Sequence, residues 1–175
     1  SLSLVFEEIR YFLENKVKQV KFVDRTFNCN HEHAYKIWEY IWKNDNGGTN
    51  FHFEIGGDLL REEDFELFRE FRPGLVQFEI GVQSTNSDTI EAIRRKMDLS
   101  ELKYHVERVR ENGNIHQHLD LIAGLPWEDY DSFHRSFNDV YGMKPDQFQL
   151  GFLKVLKGSY MEEVSKEYDI EYGSR

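Results

Sequence analysis

The sequence has 175 residues, of which 39% are hydrophobic and 15% aromatic, so the chain can bury a core and disorder is not expected. Its net charge of −10, from 22 basic and 32 acidic residues, argues against a nucleic-acid partner, because phosphate backbones are bound by basic surfaces. No apolar run approaches the ~18 residues of a membrane span, and the lone Cys29 excludes a disulfide framework and favours a cytoplasmic location.

Helical and strand patterns alternate along the chain. Apolar residues recur at either helical or strand spacing, and Gly and Pro separate several of the segments. The pattern predicts helix 2–15, strand 17–23, helix 31–42, strand 51–55, helix 62–71, strand 76–82, helices 87–96 and 99–112, strand 115–123, helix 128–141, strand 148–155 and helix 161–168. We expect a single domain over residues 1–175, and the start within a helix without a methionine suggests a piece of a longer protein.

The faces of the strands indicate the type of α/β fold. Helical crossovers favour parallel strands with helices outside. Three predicted strands collect polar residues on one face: His52, Glu54, Gln77, Glu79, Gly81, Gln83, His116, His118 and Asp120. A helix-covered sheet is apolar on both faces, and a closed barrel is filled by branched side chains. We therefore predict an open, partial (β/α) TIM-like barrel with a wet interior; the alternative is an antiparallel sheet with one face in water, which the crossovers disfavour.

Short motifs end several of these strands. Gly81-Val82-Gln83-Ser84 ends the third strand, Arg95 follows twelve residues after Gln83, and Asp120-Leu121-Ile122-Ala123-Gly124-Leu125-Pro126 ends the fourth. Earlier in the chain, Asp24 ends the first strand and Glu54 the second. The carboxyl ends of parallel strands meet at one edge, where such proteins bind ligands. The motifs therefore predict one ligand site.

These motifs, in this order, resemble the radical S-adenosylmethionine (SAM) superfamily. The similar branch contains oxygen-independent coproporphyrinogen oxidase, cobalamin-domain radical SAM proteins and magnesium-protoporphyrin IX monomethyl ester oxidative cyclase-like Fe–S oxidoreductases. The resemblance covers nearly the whole chain and corresponds to strands two to six of a six-strand radical SAM core. It implies an oxidoreductase that uses SAM and a [4Fe–4S] cluster to make a 5′-deoxyadenosyl radical and acts on a small-molecule substrate. It leaves open whether the parent protein binds cobalamin.

The resemblance also implies roles for individual residues. Gln83 and Glu54 match ribose-binding positions, and Arg95 matches an arginine that grips the SAM carboxylate, although its neighbour Arg94 could take that place. Asp24 matches a position near the amino group of SAM, and Arg25 stands where the family commonly has a second aspartate. Ile122 matches a position beside the adenine of SAM, and Ser84 and Asp120 match positions within their motifs.

A CxxxCxxC loop holds the cluster in this family, and the sequence lacks one because Cys29 is its only cysteine. We expect the cluster ligands in a missing N-terminal part of the same protein and expect the chain alone to be inactive. The absent first strand would leave residues 17–24 at a sheet edge. It would also uncover Val5, Phe6, Ile9 and Phe12, so a dimer of the chain is expected.

Two other functions remain open. His116 and His118 lie on one strand face, with His52 on a neighbouring strand, and this spacing is common among metal ligands. It suggests a metal-dependent hydrolase on a TIM-like barrel, which would carry bound metal in the isolated chain. The absence of the cluster loop keeps a third function open, a non-catalytic binding module.

Overall fold

Five parallel strands form one sheet in a computed structural model that describes residues 1–173. Each strand pairs with the next in sequence, in the order β1 Gln19–Lys21, β2 Asn50–Glu54, β3 Val76–Gln83, β4 His116–Ala123 and β5 Gln147–Phe152. The connecting and flanking helices are α1 Leu2–Glu14, α2 His31–Lys43, α3 Glu62–Arg69, α4 Ser87–Ala92, α5 Leu99–Asn112, α6 Tyr130–Gly142 and α7 Tyr160–Glu163. The predicted open parallel α/β fold is confirmed.

Several elements are shorter than the sequence pattern predicts, and the difference is largest for α4, α7 and β1. Helix α4 ends at Ala92, because Arg94 adopts a left-handed φ of 56°, which a helix cannot continue. Strand β1 has three residues and α7 four. Within residues 1–173, no helix combines the length and apolarity needed to cross a membrane.

The core lies between the outer face of the sheet and the helices. Its largest members are aromatic, and the ring of Trp38 lies 5.1 to 6.2 Å from those of Phe53, Phe68 and Phe78. All four side chains are fully buried. Burying an aromatic side chain of this size contributes roughly 2–3 kcal/mol, so this cluster anchors α2 and α3 to the centre of the sheet.

The inner face of the sheet is polar, as the alternation predicts. The register places Lys21, His52, Gln77 and His116 in one row across the first four strands. The next row holds Glu54, Glu79, His118 and Gln147. A face this rich in charge is stable only with water or ligand beside it, so the open side of the sheet is the place to seek function.

The first helix is more buried than the sequence analysis predicts. Ile9 is only 1% exposed, and the ring of Phe6 stacks on Tyr40 of α2 at 4.3 Å. The expectation that Ile9 is uncovered is therefore wrong, because α1 packs on α2. Val5 and Phe12 remain half-buried and line a groove beside β1.

Candidate ligand site at the carboxyl ends of the strands

The end of β3 is shaped around the side chain of Gln83. The ladder with β4 shifts between Gly81 and Gln83, and Gln83 has a left-handed φ of 71°. A Cβ on Gly81 would fall on Gln83 Nε2, so the missing side chain leaves room for the amide. Within residues 1–173, Gln83 Oε1 is buried without a hydrogen-bond partner. Buried polar atoms are normally bonded, so this oxygen is available to a ligand donor.

The structure separates the two neighbouring arginines. Arg94 is exposed, and its guanidinium lies 3.8 Å from the ring centroid of Tyr160. Arg95 is half-buried beside Gly81 and forms no ion pair with any residue in the described part of the chain. Burial lowers the pKa of Arg95, although Asp58 and Glu54 oppose this. A half-buried guanidinium without an anion among the described residues suits a ligand carboxylate.

The carboxyl ends of the strands form one edge of the sheet, here called the rim, and Glu54 lies on it at the end of β2. Its carboxyl is half-buried, and burial raises its pKa, with a further rise from the charge of Glu79. Lys21 and Arg95 lower it through space. The carboxylate accepts no hydrogen bond from another residue within 1–173, so it can accept one from a ligand hydroxyl.

Asp120 and Ile122 extend this rim onto β4. Asp120 Oδ1 lies 2.9 Å from His118 Nε2, but neither atom forms a hydrogen bond within residues 1–173. Burial raises the pKa of Asp120 to about 6, although the His118 charge opposes it. Ile122 lies on the same strand face opposite Gly151 of β5, which has no side chain to cover it. This leaves an open apolar surface.

A charged pair that the sequence analysis missed forms the floor beneath these residues. Lys21 Nζ lies 2.9 Å from Glu79 Oε2, and His52 Nε2 lies 3.0 Å from the same oxygen. Burial acts to raise the pKa of Glu79, but Lys21 lowers it overall. Burial and Lys21 both lower the pKa of His52, which favours the neutral ring. The two-residue period of β1 already places Lys21 on the inner face.

The three histidines of the metal hypothesis are not brought together. His116 is exposed at the amino end of β4, whereas His52 and His118 are buried in the floor. Within residues 1–173, the group whose ligand atoms lie within 4.8 Å of one another is Glu79, His118 and Asp120. The geometry therefore regroups the candidate ligands around two acids and one histidine.

The remaining candidates lie away from the rim. Asp24 is exposed after β1 and lines the groove beside α1. Ser84 is fully buried, and its hydroxyl donates to Glu128 Oε1 at 2.6 Å. Cys29 is exposed in the 3₁₀ turn Phe27–Cys29. A [4Fe–4S] cluster needs several thiolates, so the residues of this chain do not fit one.

The family is decided by the sequence match. The family model described as the Radical SAM superfamily matches residues 1–140. The chain belongs to the radical SAM superfamily. Among curated radical SAM relatives, the oxygen-independent coproporphyrinogen-III oxidase-like protein HemZ of Bacillus subtilis is 27% identical over 115 residues, which cover 65% of this chain and 22% of HemZ. The oxygen-independent coproporphyrinogen III oxidase of Pseudomonas aeruginosa is 32% identical over 93 residues, 51% of this chain and 20% of that protein. The matches thus span about a fifth of each relative.

Solved radical SAM structures share the fold. The methyltransferase TsrM from Kitasatospora setae, with cobalamin and a [4Fe–4S] cluster bound, superposes with a TM-score of 0.81 at 14% identity, over 95% of this chain and 32% of TsrM. Coproporphyrinogen III oxidase HemN from Escherichia coli gives a TM-score of 0.67 at 18% identity, over 95% of this chain and 39% of HemN. The predicted radical SAM partial barrel is confirmed.

Proposed function

We propose that this chain is the SAM-binding part of a radical SAM oxidoreductase. One observation carries the proposal: the amide of Gln83, whose Oε1 is buried without a partner within residues 1–173, and the guanidinium of Arg95 both lie beside Gly81. An acceptor for a hydroxyl and a cation for a carboxylate are the groups that the ribose and the methionine carboxylate of SAM require. Family membership supports the same ligand.

The remaining rim residues complete the proposed site. Glu54 and Asp120 offer carboxylate oxygens to the ribose hydroxyls together with Gln83, and Ile122 offers an apolar surface to the adenine. Asp24 is proposed to attract the ammonium group of SAM. Ser84, which is buried and bonded to Glu128, is proposed to hold the backbone next to Gln83. The chain's own contribution is thus to bind SAM at both ends and fix its orientation. The polar floor of Lys21, His52 and Glu79 then faces the small-molecule substrate.

We propose that the cluster ligands lie outside these 175 residues, because one cysteine cannot provide three thiolates. When bound, the cluster supplies the electron for reductive cleavage of SAM. Alone, the chain is expected to bind SAM and leave it intact. Reconstitution with iron and sulfide should give no stable [4Fe–4S] absorption. A stable cluster on the monomer, or 5′-deoxyadenosine produced from SAM with a reductant, would overturn this part. Cobalamin is bound in TsrM. Adding cobalamin to the longer protein and measuring its binding tests whether that protein uses it.

SAM binding is tested by calorimetry on the chain and two arginine variants. Arg95→Ala should weaken SAM binding at least tenfold, because it removes the partner of the ligand carboxylate. Arg94→Ala makes the same change one residue earlier, where the guanidinium stacks on Tyr160, and should change the Kd by less than about twofold. If the unaltered chain shows no binding at millimolar SAM, or the two variants lose affinity equally, the proposal fails.

A further inference from the structure

A buried hydrogen-bond cluster joins the two loops that carry the rim. One loop follows Gln83 at the end of β3, and the other joins β4 to α6 and contains Glu128. Glu128 Oε1 accepts from Ser84 Oγ at 2.6 Å and from Ser136 Oγ of α6 at 2.7 Å. The two serines are 0% and 1% exposed, so water does not compete for these bonds.

Both serine hydroxyls also hold the backbone of the first loop. Asn86 N donates to Ser84 Oγ at 3.0 Å, and Thr85 N donates to Ser136 Oγ at 3.1 Å. A hydroxyl has one proton to donate, and here each serine gives it to Glu128. The carboxylate therefore fixes both hydroxyl rotors, and these in turn orient two consecutive backbone amides.

This hydrogen-bond cluster begins at the residue that follows a strained one. Gln83 has a φ of 71°, a left-handed conformation that is unfavourable for a non-glycine residue. Ser84 is the next residue, so its bond to Glu128 helps to hold the strained turn. Glu128 itself follows Ile122 by six positions, through the turn at Gly124, which has a φ of 88°. One side chain thus ties the Gln83 turn to the Ile122 strand end.

We propose that Glu128 is a positioning residue that sets the distance between the ribose side and the adenine side of the SAM site. The inference rests on the proposed function for its ligand, but the cluster itself does not. Without Glu128, the protons of Ser84 and Ser136 lose their shared acceptor in a dry pocket, and unsatisfied buried donors force the loops to rearrange. Gln83 would then leave its left-handed turn.

The test compares three variants of one residue type. Glu128→Ala removes the acceptor. Glu128→Gln keeps a carbonyl oxygen that can accept from both serines, so it serves as the rescue. Glu111→Ala, on the exposed end of α5, makes the same charge change and forms no hydrogen bond through its side chain within residues 1–173. The readouts are the Kd for SAM, the thermal midpoint and amide hydrogen exchange resolved by residue.

Glu128→Ala should weaken SAM binding about tenfold and speed exchange of the Thr85 and Asn86 amides at least tenfold, while amides of α2 and β2 keep their rates. Glu128→Gln should stay within about threefold of the unaltered chain in both readouts, and Glu111→Ala should match it. If Glu128→Ala does not fold, Ser84→Ala should give the same selective loss of protection at Asn86.

The outcomes separate the two proposals. If the unaltered chain fails to bind SAM, the proposed function is overturned, and the exchange rates of Thr85 and Asn86 still decide whether the cluster holds the loop. If those rates are unchanged in Glu128→Ala, the positioning role is wrong. It is also wrong if Glu128→Gln loses SAM affinity as strongly as Glu128→Ala. The loss of affinity would then come from the lost charge and not from the lost hydrogen-bond acceptor.

Discussion

Gly81 shows how one missing side chain can shape a ligand site. In Gly81→Ala, the new Cβ would fall on Gln83 Nε2, so the amide must turn away from the rim. Since the obstructing atom is the end of a flexible side chain, we expect SAM affinity to fall at least tenfold while the thermal midpoint moves by only ~2 °C. Calorimetry and thermal unfolding measure the two effects.

The matched control for this prediction is Gly142→Ala at the end of α6, where a Cβ has nothing within 4 Å. It should leave the Kd for SAM unchanged. Equal losses of affinity in the two variants would contradict the account of Gly81.

Asp120 should make stability depend on pH. Its pKa is raised to about 6, chiefly by burial, so the native state holds the proton more tightly than the unfolded chain. The resulting stabilisation is fully present below about pH 4 and is lost as the pH rises through about 6. Asp120→Asn removes this dependence. Relative to the variant, the unaltered chain should lose on the order of 2 kcal/mol of unfolding free energy between pH 4 and pH 8.

Urea unfolding at the two pH values measures this difference. Asp131→Asn is the control, because Asp131 is exposed in the first turn of α6. Its unfolding free energy relative to the unaltered chain should not rise between pH 4 and pH 8, as that of Asp120→Asn should. A difference for Asp120→Asn that is also independent of pH would show that its carboxyl is not held protonated by the fold.

At the scale of elements, one buried hydrogen-bonded pair joins the starts of α2 and α3. His31 Nε2 lies 2.9 and 3.0 Å from the two oxygens of Asp64, which is fully buried. Asp64 also accepts from Arg61 N at 2.8 Å and so caps α3. His31→Ala would leave a buried carboxylate without this partner, and we expect a loss of about 2–4 kcal/mol in unfolding free energy.

His33→Ala is the control for His31→Ala, because the His33 side chain forms no hydrogen bond within residues 1–173. Denaturant unfolding should show a loss below about 1 kcal/mol for it. Equal losses would mean that the histidines act only through packing in α2.

At the scale of the whole molecule, we expect the chain to associate with itself through β1, the first strand in the order of the sheet. Val23 is 90% exposed two residues after this strand and lines the same groove as the half-buried Val5 and Phe12. The charge of Lys21 is turned inward to Glu79, so it does not protect the edge. Burying the patch yields ~25 cal/mol per Å² before association costs, which predicts a weak dimer.

Sedimentation at high micromolar concentration tests this prediction. Val23→Glu should give a monomer, whereas Leu4→Glu, on the exposed part of α1, should not change the dimer. A monomer for the unaltered chain at that concentration would rule out association through this edge.

The sequence by itself determined the fold class and the polar interior. Alternating periods of 3.6 and 2 residues are local signals, so helices such as α2 and α5 were predicted within one or two residues. The same signals predicted that Glu54, Gln77, Glu79 and His118, on three strands, lie on one side of the sheet. The ends of the strands were predicted less closely, because the length of a strand depends on its pairing partner. Strand β1 keeps only the three residues that pair with β2.

Tertiary structure decided which members of each motif reach the rim. The left-handed φ of Arg94 sends its guanidinium to Tyr160 and leaves Arg95 beside Gly81. Similarly, Ser84 follows Gln83 in sequence but meets Glu128, 44 positions later, inside the fold. Such contacts depend on loop closure and on burial, which strengthens a hydrogen bond by excluding water. A sequence motif lists neighbouring residues; the packing of distant segments decides which of them face a ligand and which hold the others in place.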